Sequence, residues 1–219
     1  MLARTVRQGT TILNGREYLD IENEVWVEFA RGMMPMMMPA AQFMAAQLES
    51  PARLLDIAAG HGIFGVMALA KHPGLQVDAL DWPAVLAVAA ENAAKFGVAD
   101  RWSKREGSAL EMDFGAGYDV IYLTNFLHHF DVAECTAILK RCRAALRPGG
   151  MLATLEFVPN PDRVSPPASA AFSLTMLLNT PAGDAYTQAE LEAMLLDAGF
   201  TSNVLHQVPA SAQQLMISR

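Results

Sequence analysis

The feature that most constrains the fold of this chain is the alternation of short apolar runs with longer helical stretches after residue 52. Residues 52–58 (ARLLDIA) have the pattern of a buried strand, and a helical stretch follows over roughly 62–72. The alternation continues to the C-terminus, where residues 200–219 have the pattern of a hairpin. Strands joined by helices lie parallel and are covered on both faces. The sequence therefore predicts a doubly wound, Rossmann-like α/β fold with a mostly parallel sheet.

The remaining predicted elements continue this order. Two of the predicted helices begin with a capping box, Asp131-x-x-Glu134 and Thr187-x-x-Glu190. In sheets of this kind ligands bind at the carboxyl ends of the strands, near the point where the strand order reverses. The further predicted strands cover residues 75–80, 101–106, 118–124 and 151–158, and the further predicted helices cover 83–97, 132–146, 168–178 and 187–199.

The first fifty residues precede this alternation. We predict that residues 1–50 form helices covering the ligand-binding edge of a domain made of residues 51–219. A first helix is expected to run to about residue 31, where Gly32 interrupts it, and Pro35 is expected to open a second helix. The apolar positions of the first helix are Ile21, Val25 and Phe29. Those of the second are Met37, Ala41, Met44 and Leu48.

Composition excludes several classes of partner. Hydrophobic residues make up 52% of the chain and charged residues 18%, which argues against disorder. The net charge of −7 argues against a nucleic-acid partner, and the basic run at 140–143 is predicted to be a solvated helix face. No apolar run reaches the length of a membrane span, and the N-terminus lacks the pattern of a signal peptide. Cys135 and Cys142 would lie about 10 Å apart along one helix, too far for a disulfide, so we predict a cytoplasmic protein.

A glycine-rich turn follows the first predicted strand. Gly60-His-Gly62-Ile-Phe-Gly65 matches the G-x-G-x-x-G pattern that is typical of dinucleotide-binding loops. Asp56, four residues before Gly60, would face a pyrophosphate at close range, which is unfavourable. S-adenosylmethionine (SAM) carries no phosphate, and a carboxylate there could fix the loop or meet the ammonium group of the ligand. The pattern therefore favours SAM over NAD.

The second strand ends in an acidic residue followed by an aromatic one. Asp81 is placed to accept hydrogen bonds from ribose hydroxyls, a role that does not distinguish NAD from SAM. Trp82 either packs on adenine or covers the sheet edge. The chain has no Tyr-x-x-x-Lys pair of the kind used by short-chain dehydrogenases. An NAD(P)-dependent reductase remains the alternative to a SAM-binding protein.

Several segments, taken in order, resemble a known family. LLDIAAGHGIFG, the acidic residue after the second strand, GYDVIYLTNFLHHF and LRPGG resemble class I SAM-dependent methyltransferases. More narrowly, LHHFDVAECTAILKRCRAALRPGGMLATLEFVPN and GDAYTQAELEAMLLDAGF are similar to small-molecule O-methyltransferases, which methylate phenolic and polyketide-like hydroxyls. The resemblance runs from about residue 20 to the end. It implies a seven-stranded sheet whose last strand is antiparallel.

The resemblance also bears on assembly. Members of this family usually carry a winged-helix dimerisation domain before the catalytic domain, and 219 residues leave no room for it. The chain is therefore expected to be a shortened or naturally short form. A homodimer is expected only if its contacts do not depend on that domain.

The residues expected to carry chemistry follow the fourth and fifth strands. His128 matches the catalytic histidine of the family and would accept the proton of the acceptor hydroxyl. His129 is a weaker candidate for that role, and either histidine could instead be structural. Glu156 matches a family glutamate that orients the base. Arg163 is the competing partner for Glu156, which would then form a structural ion pair.

Other positions are expected to line the cofactor. The family usually has an acidic residue after Gly107, but this chain has Ser108, so adenine recognition would rest on the Ser108 hydroxyl and the backbone of Ala109. A second family glutamate is replaced by Ala185. The predicted cofactor-binding residues are Asp56, Gly60, Gly62, Asp81, Trp82, Gly107, Ser108, Ala109, Thr124 and Asn125.

Apolar side chains are expected to line the site for the methyl acceptor. Five methionines lie within residues 33–38, and methionine adapts to irregular ligands, although at helical spacing it more often belongs to a core. The 168–178 helix follows the catalytic strand and is expected to cover the site. No metal is expected, because no cluster of ligand residues occurs at the strand ends. The predicted substrate-binding residues are Met33, Met37, Phe126, Phe172 and Met176.

Three functions remain open at this point. The sequence favours a SAM-dependent O-methyltransferase with a small, hydroxylated and aromatic or polyketide-like substrate. The alternatives are an NAD(P)-dependent reductase and a non-catalytic SAM-binding module, the latter suggested by Ala185 and the short chain.

Overall fold

The computed structural model describes residues 2–11 and 25–219, which form helices around one sheet. The strands are β1 (Arg53–Ile57), β2 (Gln76–Asp81), β3 (Trp102–Glu106), β4 (Tyr118–Thr124), β5 (Leu146–Glu156), β6 (Asn203–Gln207) and β7 (Gln214–Ser218). The α-helices are α1 (Leu2–Gln8), α2 (Val25–Ala46), α3 (Ile63–Lys71), α4 (Pro83–Lys95), α5 (Val132–Ala145), α6 (Pro167–Asn179) and α7 (Gln188–Asp197). Short 3₁₀ turns cover Ala99–Arg101 and Leu127–His129.

The sheet has the strand order β3-β2-β1-β4-β5-β7-β6. Neighbours from β3 to β5 are parallel, and β7 is antiparallel to both β5 and β6. The predicted architecture, with its C-terminal hairpin and antiparallel last strand, is confirmed. The chain order reverses between β1 and β4, so a crevice opens at the carboxyl ends of these strands, where ligands bind in open α/β sheets.

Side chains that alternate along the strands belong to two hydrophobic cores, one on each face of the sheet. Leu54 packs with residues of α2 and α3 on one face, and Leu55 packs with residues of α5 and α7 on the other. Both side chains are fully buried, as expected for a parallel strand covered on two sides. Cys135 and Cys142 lie in the second core as free thiols. Both predicted caps form: Thr187 makes the full capping box, and the Asp131 side chain accepts from the Glu134 amide.

The prediction of two N-terminal helices separated at Gly32 is wrong for the described residues. One helix, α2, runs through Gly32, Pro35 and Pro39. Both prolines lie on the exposed side, where water can satisfy the carbonyls that lose a hydrogen bond. The opposite side, which includes Met37 and Met44, is buried against α3, and this packing outweighs the weak helix propensity. Ile21 lies outside the described residues.

The fifth strand begins earlier than predicted. Tyr118 pairs with Leu146, whereas Val120 pairs with Met151, so the register shifts between these two pairs. Residues 147–150, which include Pro148 and two glycines, therefore form an irregularity within β5 rather than a break before it. Within the described ranges, no helix is long and apolar enough to cross a membrane.

Candidate active site

The turn after β1 takes an unusual backbone path. Ala58, Gly60 and Gly62 have φ values of 53°, 57° and 70°, so alternate residues are left-handed. A Cβ on Gly62 would lie 2.7 Å from the Ala89 Cβ of α4, which explains why glycine is needed there. The Ala59 amide donates to the Leu80 carbonyl at 3.2 Å. The turn thus lies directly beside the end of β2.

Asp81 joins this turn to β2. Its Oδ2 accepts from the Gly60 amide at 2.8 Å, and its Oδ1 accepts from the Trp82 amide at 2.7 Å. Burial raises the pKa of Asp81 to about 6, against the lowering effect of these two hydrogen bonds. Each carboxylate oxygen retains a further lone pair. Asp81 can therefore hold the loop and still accept a hydrogen bond from a ligand.

Asp56, in β1, contacts the end of the same turn from within the protein. The residue is fully buried, and its Oδ2 accepts from the Gly65 amide in the first turn of α3 at 3.1 Å. Burial raises the pKa of Asp56 to about 8; the Gly65 hydrogen bond lowers it and the charge of Asp81 raises it further. Of the two roles expected from the sequence, contact with the ligand or support of the loop, this geometry matches support of the loop.

Glu156, the last residue of β5, holds a second group of side chains and backbone amides at this edge of the sheet. His128 Nδ1 lies 2.6 Å from Glu156 Oε2, and both side chains are buried. Glu156 Oε1 accepts from the amides of Phe126 and Leu127 at 3.0 and 2.8 Å. An ionised carboxylate can only accept, so Nδ1 of His128 carries the proton of this hydrogen bond, and in the neutral ring Nε2 is then the nitrogen with a free lone pair. One carboxylate therefore sets both the backbone turn and the tautomer of the histidine.

Arg163, the alternative partner for Glu156, is engaged elsewhere. Its guanidinium lies 2.9 Å from an Asp184 oxygen and 2.6 and 2.7 Å from the two Glu190 oxygens. These contacts tie the loop before α6 to the start of α7. The ion pair between Arg163 and Glu156 that was considered from the sequence is therefore replaced by ion pairs with Asp184 and Glu190.

Aromatic rings surround the histidine pair. The ring centroids of His128 and His129 are 4.3 Å apart, and the Phe172 ring of α6 is 4.8 Å from His128 and stacks on Phe157 at 4.0 Å. Phe126 lies 6.5 Å from His129. Burial and the neighbouring His128 hold the pKa of His129 well below its usual value. His129 is therefore neutral at physiological pH.

The end of β4 contacts α2 and the start of β7. Asn125 is left-handed, with φ 55°, and its amide donates to the Leu155 carbonyl at 2.9 Å. Its side-chain Nδ2 lies 3.8 Å from the Met37 sulfur, and its Oδ1 accepts from Gln213 Nε2. Thr124, the preceding residue, is buried. Two predicted residues, Met37 and Asn125, are thus in contact, and Gln213, which the sequence did not indicate, holds the Asn125 side chain.

The other two predicted substrate methionines lie apart from these contacts. Met33 is half-buried against the core between α2 and α3, and Met176 is buried within α6. Of the five predicted substrate residues, the structure places the Phe126 and Phe172 rings beside the histidine pair.

The segment after β3 is held by a residue of α5. The Gly107 amide donates to the Asp81 carbonyl at 3.0 Å, and the Ser108 hydroxyl accepts from the Leu110 amide at 3.2 Å. Arg141 Nη1 donates to the carbonyls of Ala109 and Leu110 at 2.8 and 3.1 Å. The prediction that residues 140–143 are merely a solvated face is therefore wrong for Arg141, which fixes the expected adenine loop.

Two further residues of the site were missed. The His61 ring is buried, its Nδ1 accepts from the Ile63 amide at 3.2 Å, and burial lowers its pKa to about 4. Trp26 of α2 contacts both Trp82 and His129. The position of His61 inside the glycine turn was a usable signal, whereas the contacts of Trp26 depend on how α2 docks. Within residues 2–11 and 25–219, no group of three or more His, Cys, Asp or Glu side chains could hold a metal ion.

The fold and the strand-end side chains define a Rossmann-like protein with a glycine turn, an acidic residue ending β2 and a His–Glu pair. Residues 13–201 match the family model described as the O-methyltransferase domain, and the chain belongs to this family.

Individual relatives agree with that membership. The chain is 30% identical over 155 residues to a 3-hydroxy-5-methyl-1-naphthoate 3-O-methyltransferase from Streptomyces sahachiroi, covering 71% of this chain and 45% of the relative. It is 31% identical over 175 residues to acetylserotonin O-methyltransferase from Mus musculus, covering 78% and 45%. A crystal structure from Nostoc punctiforme PCC 73102, named as a candidate O-methyltransferase, superposes with a TM-score of 0.96 at 44% identity, covering 99% of this chain and 66% of that one. The chain thus spans less than half the length of the two curated relatives.

Proposed function

We propose that this chain is the catalytic part of a SAM-dependent O-methyltransferase that methylates a hydroxyl of a small aromatic or polyketide-like molecule. The observation that carries the proposal is the buried hydrogen bond between His128 and Glu156 at the carboxyl edge of the sheet. Family membership supports the reaction class, and the names of the two curated relatives, which act on a hydroxynaphthoate and on acetylserotonin, support the acceptor class.

The turn after β1 fits a nucleoside without phosphate. Asp81 keeps lone pairs for ribose hydroxyls beyond the two it uses for backbone amides. Asp81 holds one side of the turn, and with a pKa of about 6 it is largely ionised at physiological pH, so its negative charge opposes a diphosphate but not a cationic ligand. The residues present therefore fit SAM: Gly60 leaves room for the ligand, Gly62 lets the turn pack closely against α4, and the segment at Gly107, Ser108 and Ala109 is expected to hold adenine. When bound, SAM supplies an electrophilic methyl group.

His128 would act as the general base. With Nδ1 protonated, its Nε2 can take the proton of the acceptor hydroxyl as the oxygen forms its bond to the methyl carbon and the carbon–sulfur bond breaks. A phenol has a pKa near 10 and a free imidazole one near 6.5, so a neutral histidine suits this transfer at physiological pH. Glu156 would stabilise the imidazolium that results, and Phe172 and Phe126 would border the acceptor.

Replacement of the base tests this proposal. His128→Ala is expected to lower turnover about 10²–10⁴-fold, because the hydroxyl loses its proton acceptor. The assay uses SAM with hydroxynaphthoates and N-acetylserotonin as probe acceptors, and calorimetric titration with S-adenosylhomocysteine (SAH) is expected to give unchanged affinity. His206→Ala, on the edge strand β6, is the matched control and should retain full activity. Equal turnover in His128→Ala would remove His128 from the mechanism.

A non-catalytic SAM-binding module is the second candidate, favoured by Ala185. This residue is buried where the family resemblance implies a glutamate, so the chain lacks one carboxylate that the family pattern implies. Tight SAH binding with no methylated product from any phenol probe would favour this candidate over the enzyme.

A further inference from the structure

Trp26, in the first turn of α2, bridges two separate strand ends. Its ring centroid lies 6.2 Å from that of Trp82 and 6.0 Å from that of His129, which it meets nearly at right angles. Trp82 directly follows Asp81 at the end of β2, and His129 directly follows His128. On the proposed function, Asp81 marks the ribose and His128 marks the reacting methyl. A side chain that contacts both neighbours therefore lies across the part of the site between them.

The two halves of α2 are held very differently. The C-terminal half, including Met37 and Met44, belongs to the large core shared with α3 and the sheet. The N-terminal half packs through Ala30, Trp26 and Val27 in a smaller cluster with Trp82 and two valines of α4. It also carries the ion pair between Arg31 and Glu91 at 2.6 Å, whose side chains are more than half exposed and which therefore adds little stability. Because the first turns belong to this separate cluster, their displacement would leave the main core intact.

The junction between these halves contains both a glycine and a proline. Gly32 lies there with nothing within 4 Å of a Cβ, and Pro35 cannot donate the hydrogen bond that would link it to the preceding turn. Gly and Pro are the usual causes of bending within helices. The residues that suggested a helix break in the sequence thus mark the place where α2 can bend.

We propose that Trp26 closes the cofactor site, and that the first turns of α2, up to Gly32, form a lid whose opening limits release of the nucleoside product. This inference rests on the proposed function. Trp26 is a positioning residue, because it acts on the ligand's escape and takes no part in the proton transfer.

The rate of SAH dissociation tests the lid, measured with radiolabelled SAH chased by excess unlabelled SAH. Trp26→Leu removes the ring contacts with Trp82 and His129 and is expected to raise the dissociation rate about 5- to 50-fold. Phe29→Leu is the matched control: its ring also contacts Trp26 at 5.7 Å but is half-exposed, and the rate is expected to change less than twofold. Thermal melts of both variants should stay close to that of the wild type, which separates lid opening from unfolding.

A second variant acts in the opposite direction. Gly32→Ala stiffens the junction and is expected to slow SAH release about two- to fivefold, since alanine favours the continuous helix. If the wild type binds SAH tightly but Trp26→Leu releases it at the rate of Phe29→Leu, the lid is overturned and the proposed function stands. If the wild type does not bind SAH, the proposed function itself fails.

Discussion

At the scale of single residues, the site depends on one carboxylate that serves three donors. Glu156 accepts from His128 through one oxygen and from two backbone amides through the other. A buried carboxylate is costly unless it is hydrogen-bonded, and these three donors offset the cost of burying Glu156. It also means that even the isosteric replacement of Glu156 by glutamine should disturb these hydrogen bonds.

Glu156→Gln tests that sensitivity. The amide has one acceptor oxygen, so it can serve the backbone turn or the His128 Nδ1–H, but not both. We expect a turnover loss of about 10²–10⁴-fold through the wrong tautomer of the histidine. The check is kcat and KM across pH, with SAH affinity as the control. A variant with wild-type kcat and an unchanged pH profile would show that Glu156 does not orient the base.

His61 makes stability depend on pH. Its pKa is about 4 in the folded protein, below the ordinary value near 6.5, because burial disfavours the charged ring. The unfolded chain therefore binds a proton first as pH falls, and stability from this group is lost between pH 6.5 and 4, by about 3 kcal/mol at most. His61→Asn is expected to flatten this part of the curve, measured by urea unfolding at several pH values. Parallel curves for the two proteins would contradict the assignment.

At the scale of elements, α2 combines weak local propensity with strong packing. Gly32 is exposed in the helix interior, so Gly32→Ala is expected to raise the free energy of unfolding by about 0.5–1 kcal/mol. Gly97→Ala is the matched control, because it also has open space around a Cβ but a φ of 70°, and it should be destabilising. Urea unfolding measures both. Destabilisation by Gly32→Ala would mean that α2 is not a continuous helix there.

Some helices and strands could be predicted from local sequence patterns, and others could not. Strands such as residues 118–124 and helices with caps such as Thr187 were predictable, because local apolar period and capping chemistry agree with the fold. The continuity of α2 was not predictable, because Gly32 and Pro35 locally disfavour a helix. Only the packing of the buried face against α3 overrides them. The early start of β5 depends on pairing with Tyr118, which is likewise a tertiary contact.

At the scale of the whole molecule, the site is assembled from segments far apart in sequence. His128 and Glu156 could be proposed from the motif resemblance, because each follows a strand whose carboxyl end faces the same edge. Arg141 and Gln213 could not: their partners are 29–32 and 88 residues away, and nothing in their local pattern indicates them. The proposed catalytic pair is thus predictable from the sequence, whereas many of the contacts around it depend on how the helices and the final hairpin pack.

The most direct test of the account is calorimetric titration of the 219-residue chain with SAH and, separately, with NAD⁺ and NADH. We expect one SAH site per chain, weakened at least about tenfold by Asp81→Ala through loss of the hydrogen bonds to ribose, and no binding of either dinucleotide. Tight binding of NAD⁺ or NADH with no heat from SAH would contradict the assignment of the glycine turn, and with it the proposed methyl transfer.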